Sequence, residues 1–192
     1  MLRRLYDWTL AWAAHPRALW VLAAVSFLES SVFPIPPDVL LIPMVLARPR
    51  RAWLVAGLCT AASVAGALLG YAIGAFAFDT VGEPVLAFLG KTDSFVGFQE
   101  GYARWGPWVV LAAGITPFPF KVITILSGAA SLPLTTFVVA SVVARGLRFF
   151  LVAALLRRFG LPVRSFIERR LGLVFTLALA ALVGGVAVLG LL

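Results

Sequence analysis

The sequence predicts an all-α polytopic membrane protein. Its expected architecture is two inverted repeats, each a re-entrant helical hairpin followed by a transmembrane helix, plus a C-terminal transmembrane helix. Three observations carry this. The 192 residues are 62% hydrophobic and only 12% charged, about half the charged share of a soluble domain, and the mean hydropathy is +1.03. Two long apolar stretches are each interrupted near the middle by a Pro-x-Pro motif. The basic clusters fall on one side of a membrane only if both interrupted stretches turn back to the face they entered from.

Residues 1–17 have a basic start, yet tryptophans and His15 interrupt the run and no small-residue cleavage site follows. The segment reads as an N-terminal interfacial helix rather than a removed signal peptide. A membrane unit is then expected over 18–160. Residues 18–47 carry two formal charges, Glu29 and Asp38, and place Pro34, Pro36 and Pro37 in four positions. A continuous helix there loses backbone hydrogen bonds and clashes with its preceding turn, and unpaired backbone groups cannot face lipid. A hairpin over 18–47 follows. Residues 52–78 form an unbroken span, roughly 40 Å long as a helix, long enough to cross with tilt. Gly66, Gly70 and Gly74 recur every four residues on one face of it, extended by Ala62, a spacing that lets another helix approach closely.

Residues 79–106 are the most polar stretch, with Asp79, Glu83, Asp93 and Glu100 against Lys91 and Arg104; they read as an extracytoplasmic loop. A second hairpin is expected over 107–133, broken at Pro117 and Pro119, then a transmembrane helix over 134–156. A basic cytoplasmic segment and a C-terminal transmembrane helix fill 157–192. Pro34-Ile-Pro36 matches Pro117-Phe-Pro119 at an offset of 83, which also carries the helix starting near Ala52 onto one starting near Thr135. Paired broken segments in two halves point to a central site in a repeat-built transporter. With the N-terminus cytoplasmic, Arg48, Arg50, Arg51 and the arginines of 157–170 lie inside, the acidic loop outside, and the C-terminus is extracytoplasmic.

The net charge of +8 sits at the edges of apolar segments, which fits topology signals and anionic head groups rather than nucleic acid. One cysteine and one histidine assemble neither a disulfide nor a metal site, and no hydrolase or phosphate-loop pattern occurs. An enzyme and a cofactor are therefore not expected. Inside the apolar regions stand Glu29, Asp38, Lys121, Arg145 and Arg148. Each is costly if isolated in lipid, so pairing or water access is required. Asp38 and Lys121 occupy equivalent places at the 83-residue offset and are expected to pair across the repeat interface. Arg145 and Arg148 share a helical face and are candidates both for Glu29 and for an anionic substrate group. A purely structural ion network is the alternative to a translocation site. Ser30, Ser31, Thr116, Thr124 and Ser127 are placed to satisfy carbonyls freed by the breaks.

FLESSVFPIPPDVLLIP (27–43) and GITPFPFKVITILSG (114–128) closely resemble the DedA family, also called the SNARE-associated or VTT-domain family, and FPIPPD resembles its YqaA-like branch. The resemblance covers roughly 18–160. It implies two opposed re-entrant hairpins in a bacterial inner membrane. It also implies movement of an anionic lipid, a polyprenyl phosphate such as undecaprenyl phosphate or a phospholipid, between leaflets, with protons as a coupling ion. The family's embedded acidic pair falls on Glu29 and Asp38. Of the arginines in its second-hairpin pattern, Gly-Arg-x2-Pro-x2-Arg, the last falls on Lys121 and the first on Ile115, so Arg145 or Arg148 is left to supply the missing phosphate-reading cation. A non-transporting structural membrane protein and a small-solute or ion transporter are the other readings, and a homo-oligomer is compatible with all three.

Overall fold

The computed structural model describes residues 17–32, 36–78, 92–116 and 119–169, with isolated positions 80, 84 and 87. The segment expected as an interfacial helix up to residue 16, Pro34, Pro117, most of 79–91 and the span expected at 172–192 lie outside the described residues. The described elements are helices: α1 (Ala18–Ser31), α2 (Asp38–Ala47), a 3-10 turn (Pro49–Arg51), α3 (Ala52–Ala77), α4 (Thr92–Ile115), α5 (Phe120–Ala129) and α6 (Leu134–Arg169).

The breaks lie where the prolines put them. The Val32 amide closes the last turn of α1 on Leu28 O at 2.8 Å, and Val32 itself leaves the helical basin (φ −134°, ψ −40°). Pro37, with φ −65°, starts α2 and places the Asp38 carboxylate in its first turn, where the exposed amide end favours an anion. Pro119 does the same for α5, whose first turn holds Lys121. An offset of 83 carries Ser31, Asp38, Ala47 and Ala52 onto Gly114, Lys121, Ala130 and Thr135. Each of these lies within one residue of the matching helix end.

Two boundaries differ from expectation. Helix α4 begins at Thr92, inside the segment read as a loop, and runs through Pro107, so residue 107 does not open the second broken segment. Tyr102, Gly106, Val110 and Ala113 form a buried stripe at helical spacing, with Pro107 off it. Packing of that stripe outweighs the proline. Helix α6 continues past 156 to Arg169 and kinks at Phe159 (φ −119°, ψ 22°), three residues before Pro162.

Two helices are long and apolar enough to cross a membrane, Pro49–Ala77 and Leu134–Gly160. Their outer faces expose Leu68, Leu69, Ile73 and Phe76 on α3, and Val139, Val142, Leu147, Leu151 and Leu155 on α6. Apolar faces of that extent belong against lipid, and the chain is a multi-pass membrane protein. The two long helices pack against each other, and packing alternates between halves: α1 lies on α3 and α4 on α6, whereas α5 lies on α3 and α2 on α6. The α3 glycines make this possible. A Cβ on Gly66 would strike the Phe27 carbonyl of α1, one on Gly70 the Thr124 hydroxyl of α5, and one on Gly74 the Ile125 carbonyl. Gly128 returns the contact from α5 to the Tyr71 carbonyl. Two apolar clusters result. One gathers Leu22, Leu41, Val45, Val55, Cys59 and Phe149, the other Ala67, Val110, Phe120, Ile123, Phe137 and Ala140.

Candidate functional site at mid-span

A polar layer separates those clusters. Along α3, Ser63 falls between Cys59 and Ala67; along α6, Arg145 falls between Ala140 and Phe149. Ser63 is equidistant from the ends of the Pro49–Ala77 span, and Arg145 and Arg148 bracket Leu147, the midpoint of Leu134–Gly160. The charges therefore lie at the depth where lipid tolerates them least.

The innermost group is a closed ring. Arg145 Nη2 donates to Glu29 Oε2 at 2.5 Å, Arg145 Nε donates to Ser63 Oγ at 2.6 Å, the Ser63 and Ser30 hydroxyls lie 2.6 Å apart, and Ser30 Oγ donates to Glu29 Oε2 at 3.1 Å. Because a guanidinium only donates, the ring has one direction: Ser63 accepts from Arg145 and passes its own proton toward Ser30, which donates to Glu29. The Arg145 side chain is 1% exposed and that of Glu29 11%. The guanidinium carbon stands 4.9 Å from the Phe120 ring centre and 4.7 Å from that of Phe149, so two aromatic faces replace lost hydration.

The second group is more open. Arg148 Nη2 donates to Asp38 Oδ2 at 2.6 Å, with the side chains 18% and 21% exposed. Arg148 Nη1 donates to Thr116 O at 2.6 Å. The pair borders a cavity of about 450 Å³ lined by Asp38, Ile115, Leu147, Arg148, Leu151 and Val152. Lys121 does not pair with Asp38. Its Nζ donates to Val32 O at 3.1 Å. Thr116 and Val32 end α4 and α1, so each carbonyl end at a break is met by a cation, which satisfies orphan acceptors and opposes the negative pole of the helix. The expected Asp38–Lys121 pair fails because the offset relates equivalent places, not neighbouring ones. Arg148 can serve a carboxylate and a carbonyl at once through its two prongs.

Of the hydroxyls assigned to carbonyls, Ser31 Oγ reaches Phe27 O at 2.9 Å, Ser127 Oγ reaches Ile123 O at 2.6 Å, and Thr124 Oγ1 bridges Ser30 O at 3.0 Å and Lys121 O at 2.8 Å. Sequence reasoning missed Ser63 as the link of the ring. The signal was present, since Ser63 lies on the buried stripe with Gly66, Gly70 and Gly74, whereas Ala62, taken to extend that stripe, is only partly buried. Among the described residues no group of three His, Cys, Asp or Glu is placed to hold a metal ion.

Comparison with known proteins gives a consistent result. The family model of the VTT domain matches residues 35–158. An uncharacterized protein of Haemophilus influenzae is 39% identical over 168 residues, covering 85% of this chain and 87% of its own. An uncharacterized protein of Histophilus somni is 36% identical over 168 residues with the same coverage. No solved structure matches.

Proposed function

The chain belongs to the DedA/VTT family, and from that premise we propose that it moves the phosphate-bearing head group of a membrane lipid between leaflets through the polar layer. Family membership and the two spans support a membrane-transport role. The observation that carries the finer reading is the Asp38–Arg148 pair, partly exposed at mid-span beside an apolar-walled cavity. A phosphate entering there exchanges with the Asp38 carboxylate on Arg148, because a guanidinium grips either in bidentate fashion. Lys121, held at the adjoining break, adds a second cation. The lipid tail stays against the exposed Leu147, Leu151 and Leu155, so only the head group crosses. A polyprenyl phosphate or a phospholipid meets these requirements.

The two broken segments are re-entrant hairpins in this reading, entering from opposite leaflets as inverted repeats. The shared offset of their boundaries and the exchanged packing of α2 and α5 support it, and the arginine distribution orients the N-terminus inward in a bacterial inner membrane. Glu29 is the coupling carboxylate, exchanging a proton as the layer alternates. A static ion network is the competing account of the Glu29–Arg145 ring, favoured by its closed hydrogen bonding; the open Asp38–Arg148 pair favours transport. The test is leaflet exchange of a phosphate-bearing lipid in vesicles. Wild type accelerates exchange over empty vesicles, and Arg148→Gln, at equal incorporation, removes most of the acceleration. Equal exchange by wild type and empty vesicles, with or without a proton gradient, excludes the proposal.

A further inference from the structure

The start of α3 and the end of the apolar part of α6 lie side by side. Trp53 stacks on Phe150 with ring centres 5.9 Å apart and 18° between planes, and the Arg157 guanidinium carbon stands 5.5 Å from the Trp53 ring centre on this cluster. The Pro49–Arg51 turn packs on α6 as well, and the side chain of Leu46 lies close against Gly160. Arg48, Arg50, Arg51, Arg157 and Arg158 are all exposed. No aspartate or glutamate occurs between residues 39 and 78 or between 122 and 167, so neither segment supplies its own counter-charge. Both spans end here, which sets the arginines at head-group depth. Arg157 is nine residues beyond Arg148, roughly 14 Å along the helix, so this surface is separate from the mid-span pair.

We infer that this end of the bundle is a second lipid site, which holds an anionic phospholipid of the facing leaflet as a resident rather than as cargo. Charges that serve only to orient a chain need no shared receptacle. Here Arg157 of α6 stands over the ring of Trp53 on α3, Phe150 stacks on the same ring, and Arg50 and Arg51 precede that tryptophan by three and two residues. Arg50, Arg51 and Arg157 supply donors for a phosphodiester, and the half-exposed Trp53 ring lies at the level of the glycerol backbone, where indoles are favoured. The inference does not depend on transport.

Quenching of tryptophan fluorescence by chain-brominated lipids tests it directly, with Trp53→Phe subtracted to isolate the Trp53 signal. In phosphatidylcholine nanodiscs, a small mole fraction of brominated phosphatidylglycerol quenches Trp53 more than the same fraction of brominated phosphatidylcholine. The preference falls about fivefold for each of Arg50, Arg51 and Arg157 changed to Gln. It also collapses in about 1 M salt, where charge interactions reach only about 3 Å, a readout that needs no arginine variant to fold. Equal quenching by the two lipids in wild type, or a preference that survives both the triple variant and high salt, overturns the inference.

Discussion

Replacing Glu29 with leucine removes the carboxylate paired with a guanidinium that is 1% exposed. Arginine cannot be neutralised by losing a proton, so the variant must either bury an unpaired charge or open the helix packing to water. At a charge separation of about 4 Å and an effective dielectric of about 20, the lost attraction is about 4 kcal/mol. Breaking a buried pair from one side costs about 3–5 kcal/mol in measured cases, which agrees. Glu29→Gln keeps an acceptor for Arg145 and Ser30 and should lose less, roughly half. The double variant Glu29→Leu/Arg145→Met removes both charges and leaves the Ser63–Ser30 hydrogen bond in place. It is expected to recover most of the loss, with an interaction energy of about 3 kcal/mol across the cycle. The assay is helicity followed through graded sodium dodecyl sulfate in mild detergent, at matched protein. A Glu29→Leu midpoint equal to wild type, or single effects that simply add in the double variant, refutes the assignment of this pair as a buried, mutually dependent unit.

Other outcomes follow from single contacts. Gly66→Val places a branched side chain against the Phe27 carbonyl and should destabilise by about 1–3 kcal/mol or more; thermal unfolding of the purified variant measures this, and an unchanged midpoint contradicts the packing of α1 on α3. Ser131 closes α5 with φ 55°, its amide bonded to Gly128 O at 3.0 Å and the Leu132 amide to Ser127 O at 3.0 Å, so Ser131→Gly should stabilise by about 0.5–1 kcal/mol as strain at a left-handed position is relieved. In a Cys59→Ser background, Pro49→Cys and Gly90→Cys should react with an impermeant maleimide from opposite sides of the membrane. Labelling from the same side rules out the hairpin topology.

The breaks were legible because proline chemistry is local: a ring that removes an amide and bars the helical basin before it acts whatever surrounds it. The ionisable residues were legible as a set for a similar reason, since charge within an apolar run demands a partner. Which partner each takes was not. Pairing Asp38 with Lys121 followed the repeat, but the choice is made by reach and by the orphan carbonyls at Val32 and Thr116, and those positions exist only once α1 and α4 have ended against the other half. Ser63 escaped notice because one hydroxyl in a glycine-rich helix reads as packing; only its contact with Arg145 across α3 and α6 gives it a role. The start of α4 at Thr92 was hidden by its polar composition and by Pro107, because the stripe from Tyr102 to Ala113 has meaning only against α6.

In the proposed mechanism the mid-span layer passes a phosphate head group and Glu29 carries the coupling proton. That mechanism is tested most directly by a pH series of phosphate-lipid exchange in vesicles holding wild type or Glu29→Gln at equal density. The wild-type rate should change with pH and with an imposed proton gradient, and the Glu29→Gln rate should respond to neither. Active, superimposable profiles for the two proteins contradict the mechanism.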